Sequence, residues 1–234
     1  MGKVVSIIII SYNEEKNIGN LLKSIKGQKY KNYEIIVADA NSKDRTREIA
    51  RRFGSKIVNG GLPAVGRNNG AKKARYNLFL FLDADVILPK DFLKDCLGEF
   101  YKRKLDVAGV SLTPITNKRL DYFLHGMYNL WQIIMQKIDP HLSGACVFVK
   151  KNVFNSIGGF DEDLHVAEDH AFARKSKNDG YNFGILHNHI LLDVRRLEKE
   201  GRGGFAFKLF FFWFRRLFGE VKKSKIKYEL GERN

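Results

Sequence analysis

Two aspartates end one of the most apolar stretches of the sequence, LFLFLDADV at residues 78–86. Asp83 and Asp85 are two residues apart, so in an extended chain their side chains point to the same side. Two carboxylates held this close repel each other unless a cation lies between them or water screens them. A Mg²⁺ or Mn²⁺ ion meets this need, because such ions take one or two carboxylates together with substrate phosphates. A solvated turn before Pro89 is the other interpretation of the same residues.

The apolar pattern around this pair predicts the elements that position it. Residues 3–10, KVVSIIII, form a nearly continuous β-branched run, which is typical of a strand buried on both faces of a parallel sheet. Alternating elements follow: a helix capped by Asn13, a strand at 33–39, a helix at about 43–53, a short strand SKIVN, a helix started by Pro63 and the strand LFLFLDAD. This alternation predicts a Rossmann-like half, with a mostly parallel central sheet and helices on both faces.

The second half of the chain is less regular. Its predicted elements are a helix at 89–104, a strand near 106–113, a helix at 120–136, a strand at 143–150, a helix at about 168–179 and short strands between 182 and 194. In open α/β sheets, ligands bind at the carboxyl ends of the strands. The pair Asp83 and Asp85 is therefore expected at the ligand-binding edge.

Composition limits the class of protein. The chain has 234 residues, of which 44% are hydrophobic, so we expect a folded core rather than disorder. The first residues lack a secretory signal pattern, and no run approaches the length of a spanning helix. Cys96 and Cys146 lie far apart in apolar contexts, which favours free thiols in a reducing compartment. The net charge of +15 indicates an anionic partner such as nucleic acid, acidic lipid or a phosphorylated substrate.

Six short motifs occur together in one order between residue 3 and about residue 195. They are SIIIISYNEE, DANSKDRT, GRNNGA, FLDADV, GGFDEDL and AEDHAFARK. Together they resemble the family 2 glycosyltransferases, enzymes of the GT-A fold that use nucleotide-sugar donors. The sequence departs from the family pattern at Ile10, where proline is frequent, and at Ala40, where a second aspartate is usual.

The resemblance implies roles for particular residues. It places in the nucleotide-sugar pocket the residues Ser11, Tyr12, Glu14, Asp39, Arg67, Asp83 and Glu168. It makes Asp169 the general base and gives Asp83 and Asp85 a bound Mg²⁺ or Mn²⁺. Plainer interpretations exist for several of these: Asp39 as a turn residue, Arg67 as a solvated cation in a glycine-rich loop, and the pair Glu168 and Asp169 as an acidic first helical turn.

Two further sets of residues stay open at this stage. His187 and His189 lie two residues apart on a predicted strand, and one of them could be an extra metal ligand or a structural histidine. Arg195 and Arg196 could close over a diphosphate or simply be solvated.

The chain beyond residue 195 has a different character. Residues 195–234 carry twelve Lys/Arg against five Asp/Glu, and they include the aromatic stretch FAFKLFFFWFRRLF at 205–218. Lys208, Arg215 and Lys222 recur every seven residues, which predicts a polar stripe on an amphipathic helix. Fourteen helical residues rise only about 21 Å, too little to cross a membrane. The segment is suited to lying in a membrane interface, or to packing on the domain or on a second subunit in a homodimer.

We therefore expect a GT-A catalytic domain at 1–195 and a basic, aromatic segment at 196–234. Residues 1–115 would bind the nucleotide sugar and residues 116–195 the acceptor. The predicted function is a metal-dependent, inverting transfer from a UDP- or GDP-sugar to a hydroxyl or phosphate of a lipid-linked or polysaccharide acceptor, by a cytoplasmic enzyme peripheral to the inner face of the cell membrane. The alternatives are a nucleotidyltransferase using the same site and a basic nucleic-acid-binding protein. Nucleic acid is not the expected partner, because no nucleic-acid-binding motif is recognised.

Overall fold

The computed structural model describes residues 4–194. The strands are β1 (Val5–Ser11), β2 (Tyr33–Asp39), β3 (Lys56–Asn59), β4 (Leu78–Asp83), β5 (Val86–Ile87), β6 (Val107–Ile115), β7 (Cys146–Lys150) and β8 (Phe183–Asp193). The helices are α1 (Ile18–Lys26), α2 (Thr46–Arg52), α3 (Pro63–Lys72), α4 (Phe92–Lys102), α5 (Arg119–Met135), α6 (Lys151–Ile157) and α7 (Glu168–Asn178).

The eight strands form one sheet in the order β3-β2-β1-β4-β7-β6-β8-β5. The first four are parallel to one another, as the β-branched run at the start of the chain predicted. Strand β7 enters antiparallel between β4 and β6, and β6 pairs parallel with β8. The predicted α/β fold with a mostly parallel sheet is confirmed, whereas the predicted C-terminal helix lies outside the described residues.

Two apolar layers cover the sheet. One joins the sheet to α1, α2 and α4 and contains Leu21, Phe92 and Phe100. The other joins it to α3, α6 and α7 and contains Phe154 and Phe172. Each fully buried side chain of this size contributes about 1.5–3 kcal/mol relative to exposure. The sheet is thus held from both faces, which fixes the strand ends that carry the polar residues.

Three local predictions were wrong. Asn13 does not cap α1: it has a positive φ of 52°, and α1 begins only at Ile18. The Asn13 side chain instead accepts a hydrogen bond from the Lys43 amide at 2.9 Å, so a contact between loops displaced the cap. Helix α6 and the two-residue strand β5 were not predicted, because each is too short to show a period. The short strands expected near the end are one strand, β8.

Candidate active site

The register of the parallel strands brings the predicted residues to one edge of the sheet. Ser11 at the end of β1 is paired with Asp39 at the end of β2, and Ile10 is paired with Asp83 at the end of β4. Strands β2 and β4 flank β1 on opposite sides, so the strand order reverses direction here. Such a reversal opens a crevice at the carboxyl ends of the strands, where ligands of α/β proteins bind.

Asp39 lies in a buried set of hydrogen bonds, which we call the Asp39 group (Ser11, Asp39, Ser42 and Arg47). Its carboxylate accepts hydrogen bonds from the Ser11 hydroxyl at 3.0 Å and from the Ser42 hydroxyl at 2.5 Å. The Ser42 amide donates to it at 2.9 Å, and the Arg47 guanidinium lies 3.3 Å away. Every neighbour in the group is a donor, so the carboxylate is held in one orientation.

The loops after β1 and β2 are tied to each other by backbone-to-side-chain hydrogen bonds. The Asn13 amide donates to the Ser42 hydroxyl at 2.9 Å, and the Glu14 amide donates to the Thr46 hydroxyl at 2.8 Å. The Glu14 carboxylate accepts from the Asn17 side-chain amide at 2.6 Å. Tyr12 is partly exposed between these contacts. Two loops that hold each other rigid give a preformed wall for a ligand.

The two aspartates that end β4 do not continue as one strand. Asp83 is the last residue of β4, and Asp85 lies in a turn before β5. The Asp193 amide donates to the Asp85 carbonyl at 3.2 Å, which anchors that turn to β8. The condition of a continued strand is therefore not met, and the turn rather than strand geometry sets the relation of the two side chains.

Arg67 is the centre of the second group. The sequence placed Arg67 at a helix start in a glycine-rich stretch, but it lies in the middle of α3 and is only 2% exposed. Its guanidinium donates to Glu168 at 2.5 Å, to Asp83 at 3.0 Å and to the Gly144 carbonyl at 3.1 Å. The solvated-cation interpretation was wrong, because the side chain is enclosed by carboxylates from β4 and α7.

The same group contains Asp169, and we call the whole set the Arg67 cluster (Arg67, Asp83, Gly144, Glu168 and Asp169). The Asp169 carboxylate accepts hydrogen bonds from the Gly144 amide at 2.6 Å and from the His170 amide at 2.8 Å. The Gly144 peptide thus touches Asp169 with its N–H and Arg67 with its carbonyl. A Cβ at Gly144 would lie 2.5 Å from the guanidinium, so only glycine permits this approach.

Charge is not balanced in the Arg67 cluster, which has three carboxylates around one guanidinium. Burial by itself would lower the pKa of Arg67, but Asp83, Glu168 and Asp169 outweigh it and raise that pKa. Burial raises the pKa of Glu168 and that of Asp169. The charge of Asp169 also raises the pKa of Glu168, and the charge of Asp83 also raises the pKa of Asp169, whereas Arg67 acts to lower both. A carboxylate with a raised pKa is a stronger base than an ordinary aspartate.

The acidic pair fits a divalent cation that is shared with a ligand. One oxygen of Asp83 contacts Arg67, and 30% of its side chain is exposed. Carboxylate oxygens are the donors that Mg²⁺ and Mn²⁺ prefer. Between residues 4 and 194, no group of three or more His, Cys, Asp or Glu side chains could hold a metal by itself. The donor set therefore suits an ion that takes its remaining ligands from a diphosphate or from water.

The histidines considered as extra ligands lie on β8. His187 is at a β-bulge opposite Val110 and Ser111, and its ring contacts Glu99 at 2.7 Å with 87% of the side chain exposed. His189 is exposed two residues later. The bulge breaks the strict alternation on which their common orientation was predicted. Neither belongs to a metal-binding group among the described residues.

Some of the positioning residues were not predicted from the sequence. Ser42, Thr46 and Gly144 each hold a site residue by a hydrogen bond. Asn68 donates to the Phe160 carbonyl and accepts from the Phe160 amide, which fixes the GGF loop next to α7. The only sequence signals were the small residues themselves: Gly144 just before β7, and the Ser/Thr spacing after Asp39.

The predictions for Arg195, Arg196 and the stretch 205–218 lie outside the described residues. Within residues 4–194, none of the helices is long and apolar enough to cross a membrane.

Comparisons with known proteins identify the family. A sequence model described as "Glycosyl transferase family 2" matches residues 6–158. The chain is 28% identical over 221 residues to a 4,4'-diaponeurosporenoate glycosyltransferase of Staphylococcus haemolyticus, which covers 88% of this chain and 56% of that protein. The chain therefore spans about half the length of this relative.

Solved structures share the fold. The structure of residues 1–349 of TarS from Staphylococcus aureus, in complex with UDP-GlcNAc, has a TM-score of 0.67 at 23% identity, covering 81% of this chain and 58% of that one. The mannosyltransferase PcManGT from Pyrobaculum calidifontis, in complex with GDP-Man and Mn²⁺, has a TM-score of 0.66 at 22% identity, covering 80% and 56%. At these identities the likeness shows the fold alone.

Proposed function

The chain belongs to glycosyl transferase family 2, and on this premise we propose that it transfers a sugar from a UDP- or GDP-sugar to a hydroxyl or phosphate of a lipid-linked or polysaccharide acceptor. Residues 1–115 form the donor-binding half and residues 116–195 the acceptor-binding half in this proposal. The sugar, the base and the acceptor are open to the experiments below.

One observation carries the proposal: the Arg67 cluster joins the strand edge that would hold a diphosphate to a carboxylate suited to take a proton. Asp83 belongs to the donor edge, and Asp169 lies at the start of α7 on the other side of Arg67. A reaction between a donor and an acceptor needs both within reach of the same carbon. The cluster supplies that proximity from three separate elements.

In the proposed reaction, the acceptor oxygen attacks the anomeric carbon and its proton passes to Asp169. The bond between that carbon and the diphosphate breaks, and the nucleoside diphosphate leaves with its electron pair. One displacement inverts the anomeric centre. The raised pKa of Asp169, caused by burial and by Asp83 against the opposing Arg67, makes it a suitable proton acceptor. Glu168 holds Arg67 in place, so its role is to orient.

The donor pocket is proposed along the edge formed by β1, β2 and β4. Its residues are Ser11, Tyr12, Glu14, Asp39, Arg67, Asp83 and Glu168. The Asp39 group is the rigid end of this pocket, and the loops at Tyr12 and Glu14 form its wall. Structural neighbours bind UDP-GlcNAc and GDP-Man. Because the carboxylate of Asp39 already has four donors, Asp39 would act on the base or ribose mainly by orienting Ser11 and Ser42.

Asp83 and Asp85 would hold a Mg²⁺ or Mn²⁺ ion at the diphosphate. Such an ion, when bound, offsets the negative charge that grows on a leaving diphosphate. The excess of carboxylates in the Arg67 cluster supports this assignment, and the PcManGT neighbour is described with Mn²⁺.

We also propose that the enzyme works on the cytoplasmic face of the cell membrane. The support is the composition of residues 196–234, which combine cations with the aromatic stretch 205–218. Cations of this kind bind anionic head groups, and Phe and Trp insert among the acyl chains.

The test incubates the full chain with a panel of UDP- and GDP-sugars, with and without Mn²⁺. Release of nucleoside diphosphate that needs Mn²⁺ is the expected result, and the Asp85→Asn variant should require more Mn²⁺ for the same release rate. Release of pyrophosphate would replace the proposal by nucleotidyl transfer. Donor binding without any release, across the panel and with lipid and glycan acceptors added, would overturn it.

A further inference from the structure

Helix α5 has the reverse of the usual burial pattern of a surface helix. Its buried residues are polar, namely Asp121, His125 and Gln132, whereas most of its large apolar residues are exposed. A surface helix of a globular protein normally does the opposite, with its apolar stripe against the core. The solvent-facing side of α5 is therefore built for surroundings other than water.

The inner face is fixed by polar contacts to the sheet. Asn129 donates to the Leu112 carbonyl at 2.8 Å and accepts from the Leu112 amide at 2.9 Å. One residue past the helix end, Gln136 accepts from the Ile185 amide at 3.1 Å. Asp121 accepts from the Thr116 hydroxyl at 2.8 Å. These directional bonds determine which side of α5 faces outward.

The outer face is one continuous apolar surface, which we call the α5 stripe. All the large hydrophobic residues that are exposed within residues 4–194 lie between 115 and 138: Ile115, Leu120, Tyr122, Phe123, Met127, Leu130, Ile133, Ile134 and Ile138. Phe123 is 62% exposed and Leu130 is 59% exposed. Spacings of three and four residues place the central members on one side of the helix. A contiguous exposed patch of this kind marks an interaction surface.

Charge at the ends of the stripe is positive. Lys118 and Arg119 are exposed at the start of α5, and Lys137 is exposed just beyond its end. Lys118 and Arg119 therefore lie at one end of the stripe and Lys137 at the other. The single acid between residues 115 and 138 is Asp121, which is fully buried. The outward surface is thus apolar with a cationic rim.

The other side of α5 faces the Arg67 cluster. The Trp131 ring contacts the His141 ring with a centroid distance of 4.1 Å, and His141 contacts His170, the neighbour of Asp169, at 4.8 Å. Burial, and next the Asp169 charge, raises the pKa of the Tyr128 hydroxyl. One helix therefore separates the proposed base from the α5 stripe.

We propose that the α5 stripe docks on a bilayer that contains anionic lipids, with Phe123 and Leu130 inserted among the acyl chains and the rim cations at the head groups. Charge complementarity selects this occupant, because the aromatic segment 205–218 and a second copy of the chain would each bring cations to a cationic rim. This inference rests on the proposed membrane location, from which the choice of lipid follows. It assigns the membrane contact to the α5 stripe rather than to residues 196–234.

The experiment places a fluorescent reporter on the stripe. Cys96 and Cys146 are buried and burial raises the pKa of both thiols, so a Leu130→Cys variant of the full chain can be labelled selectively with an environment-sensitive dye. The control is Asn20→Cys on the exposed side of α1. Vesicles of phosphatidylcholine mixed with phosphatidylglycerol should blue-shift the dye at 130, and brominated acyl chains should quench it, with neither change at 20.

A second measurement tests the energetic role. The variant Phe123→Glu/Leu130→Glu should weaken vesicle binding by about tenfold or more, because two side chains lose their apolar burial. The control Asn20→Glu/Gly98→Glu adds the same charge to other exposed helix positions and should bind normally. Both variants should unfold at the same temperature as the parent.

Three results would overturn the inference. If vesicles bind but the dye at 130 stays in water, the membrane contact belongs to the C-terminal segment and the membrane location survives. If the dye is blue-shifted before vesicles are added and the stripe variant unfolds at a lower temperature, segment 205–218 covers α5. If the stripe variant converts a dimer to a monomer in sedimentation velocity, a second copy covers it. None of these readouts depends on sugar transfer.

Discussion

The Asp39 group and the Arg67 cluster both present a carboxylate at one edge of the sheet, but they treat its charge in opposite ways. Asp39 is surrounded by hydroxyl, amide and guanidinium donors, without another carboxylate among its partners. Asp169 shares one arginine with Glu168 and Asp83, and burial raises its pKa. The first arrangement fixes the orientation of a carboxylate, and the second raises the pKa of one. A site can thus separate the residue that holds shape from the residue that does chemistry.

The largest expected effect concerns Asp169. The variant Asp169→Asn should lower the transfer rate by about 10²–10⁴-fold, because it removes the proton acceptor, while stability stays level or rises since a strained charge is gone. Nucleoside diphosphate release and thermal unfolding measure the two quantities. Asp163→Asn, an exposed acid in the preceding loop, is the matched control. Near-normal transfer by Asp169→Asn would contradict the assignment of Asp169 as the base.

The next effect concerns Arg67. The variant Arg67→Gln should lower the free energy of unfolding by about 3–5 kcal/mol, because Glu168 is left buried without its cation. Urea unfolding measures this loss, and adding Glu168→Gln should recover part of it. Arg75→Gln removes an exposed partner of Glu34 and should cost only about 0–1 kcal/mol. Equal losses at Arg67 and Arg75 would contradict the central role of Arg67.

Asp39 should show the reverse balance of effects. The variant Asp39→Asn should lower the free energy of unfolding by about 1–3 kcal/mol, because its donors lose a charged acceptor. Its effect on transfer should appear as a higher KM for the donor with kcat nearly kept. Steady-state kinetics and urea unfolding separate the two. A loss of kcat as large as that of Asp169→Asn would show that both groups serve the chemistry.

The smallest effect is a displacement of the pH profile. The base must be ionised, so activity should fall as the pH drops through the folded pKa of Asp169. Because burial and Asp83 raise that pKa, the acid limb should lie above the value near 3.9 of an ordinary aspartate. Glu168 is raised as well, so the limb reports the interacting acids together. A limb at the ordinary value would show that the cluster does not tune its base.

The pH dependence that these raised pKa values give to stability is opposite to the one they give to activity. A carboxyl group whose folded pKa is raised contributes stability that is present below its unfolded pKa and is lost as the pH rises through the folded pKa. Asp169 and Glu168 therefore cost stability in the pH range where the enzyme would work.

Strand positions were predictable because the β-branched run of β1 and the LFLFL run of β4 each carry a clear signal. Since parallel strands end at one edge, the meeting of Ser11, Asp39 and Asp83 followed from the same signal. The burial of Arg67 did not, because its partners come from residues 83, 144 and 168. The orientation of α5 was also hidden: a period of 3.6 shows that a helix has two faces and not which one meets the core.

The two groups differ in how far apart in the sequence their hydrogen-bonded residues lie, and this difference affects the order in which they form during synthesis. The Ser11–Asp39 bond joins residues 28 positions apart, whereas Arg67 reaches 77 positions to Gly144 and 101 to Glu168. Contacts between distant residues form late, and a chain leaves the ribosome from its N-terminus. The nucleotide edge can therefore take shape during synthesis, while the base arrives only after residue 169 has emerged. Under the proposed function, an unfinished chain that ends before residue 169 would have its donor edge but not its base.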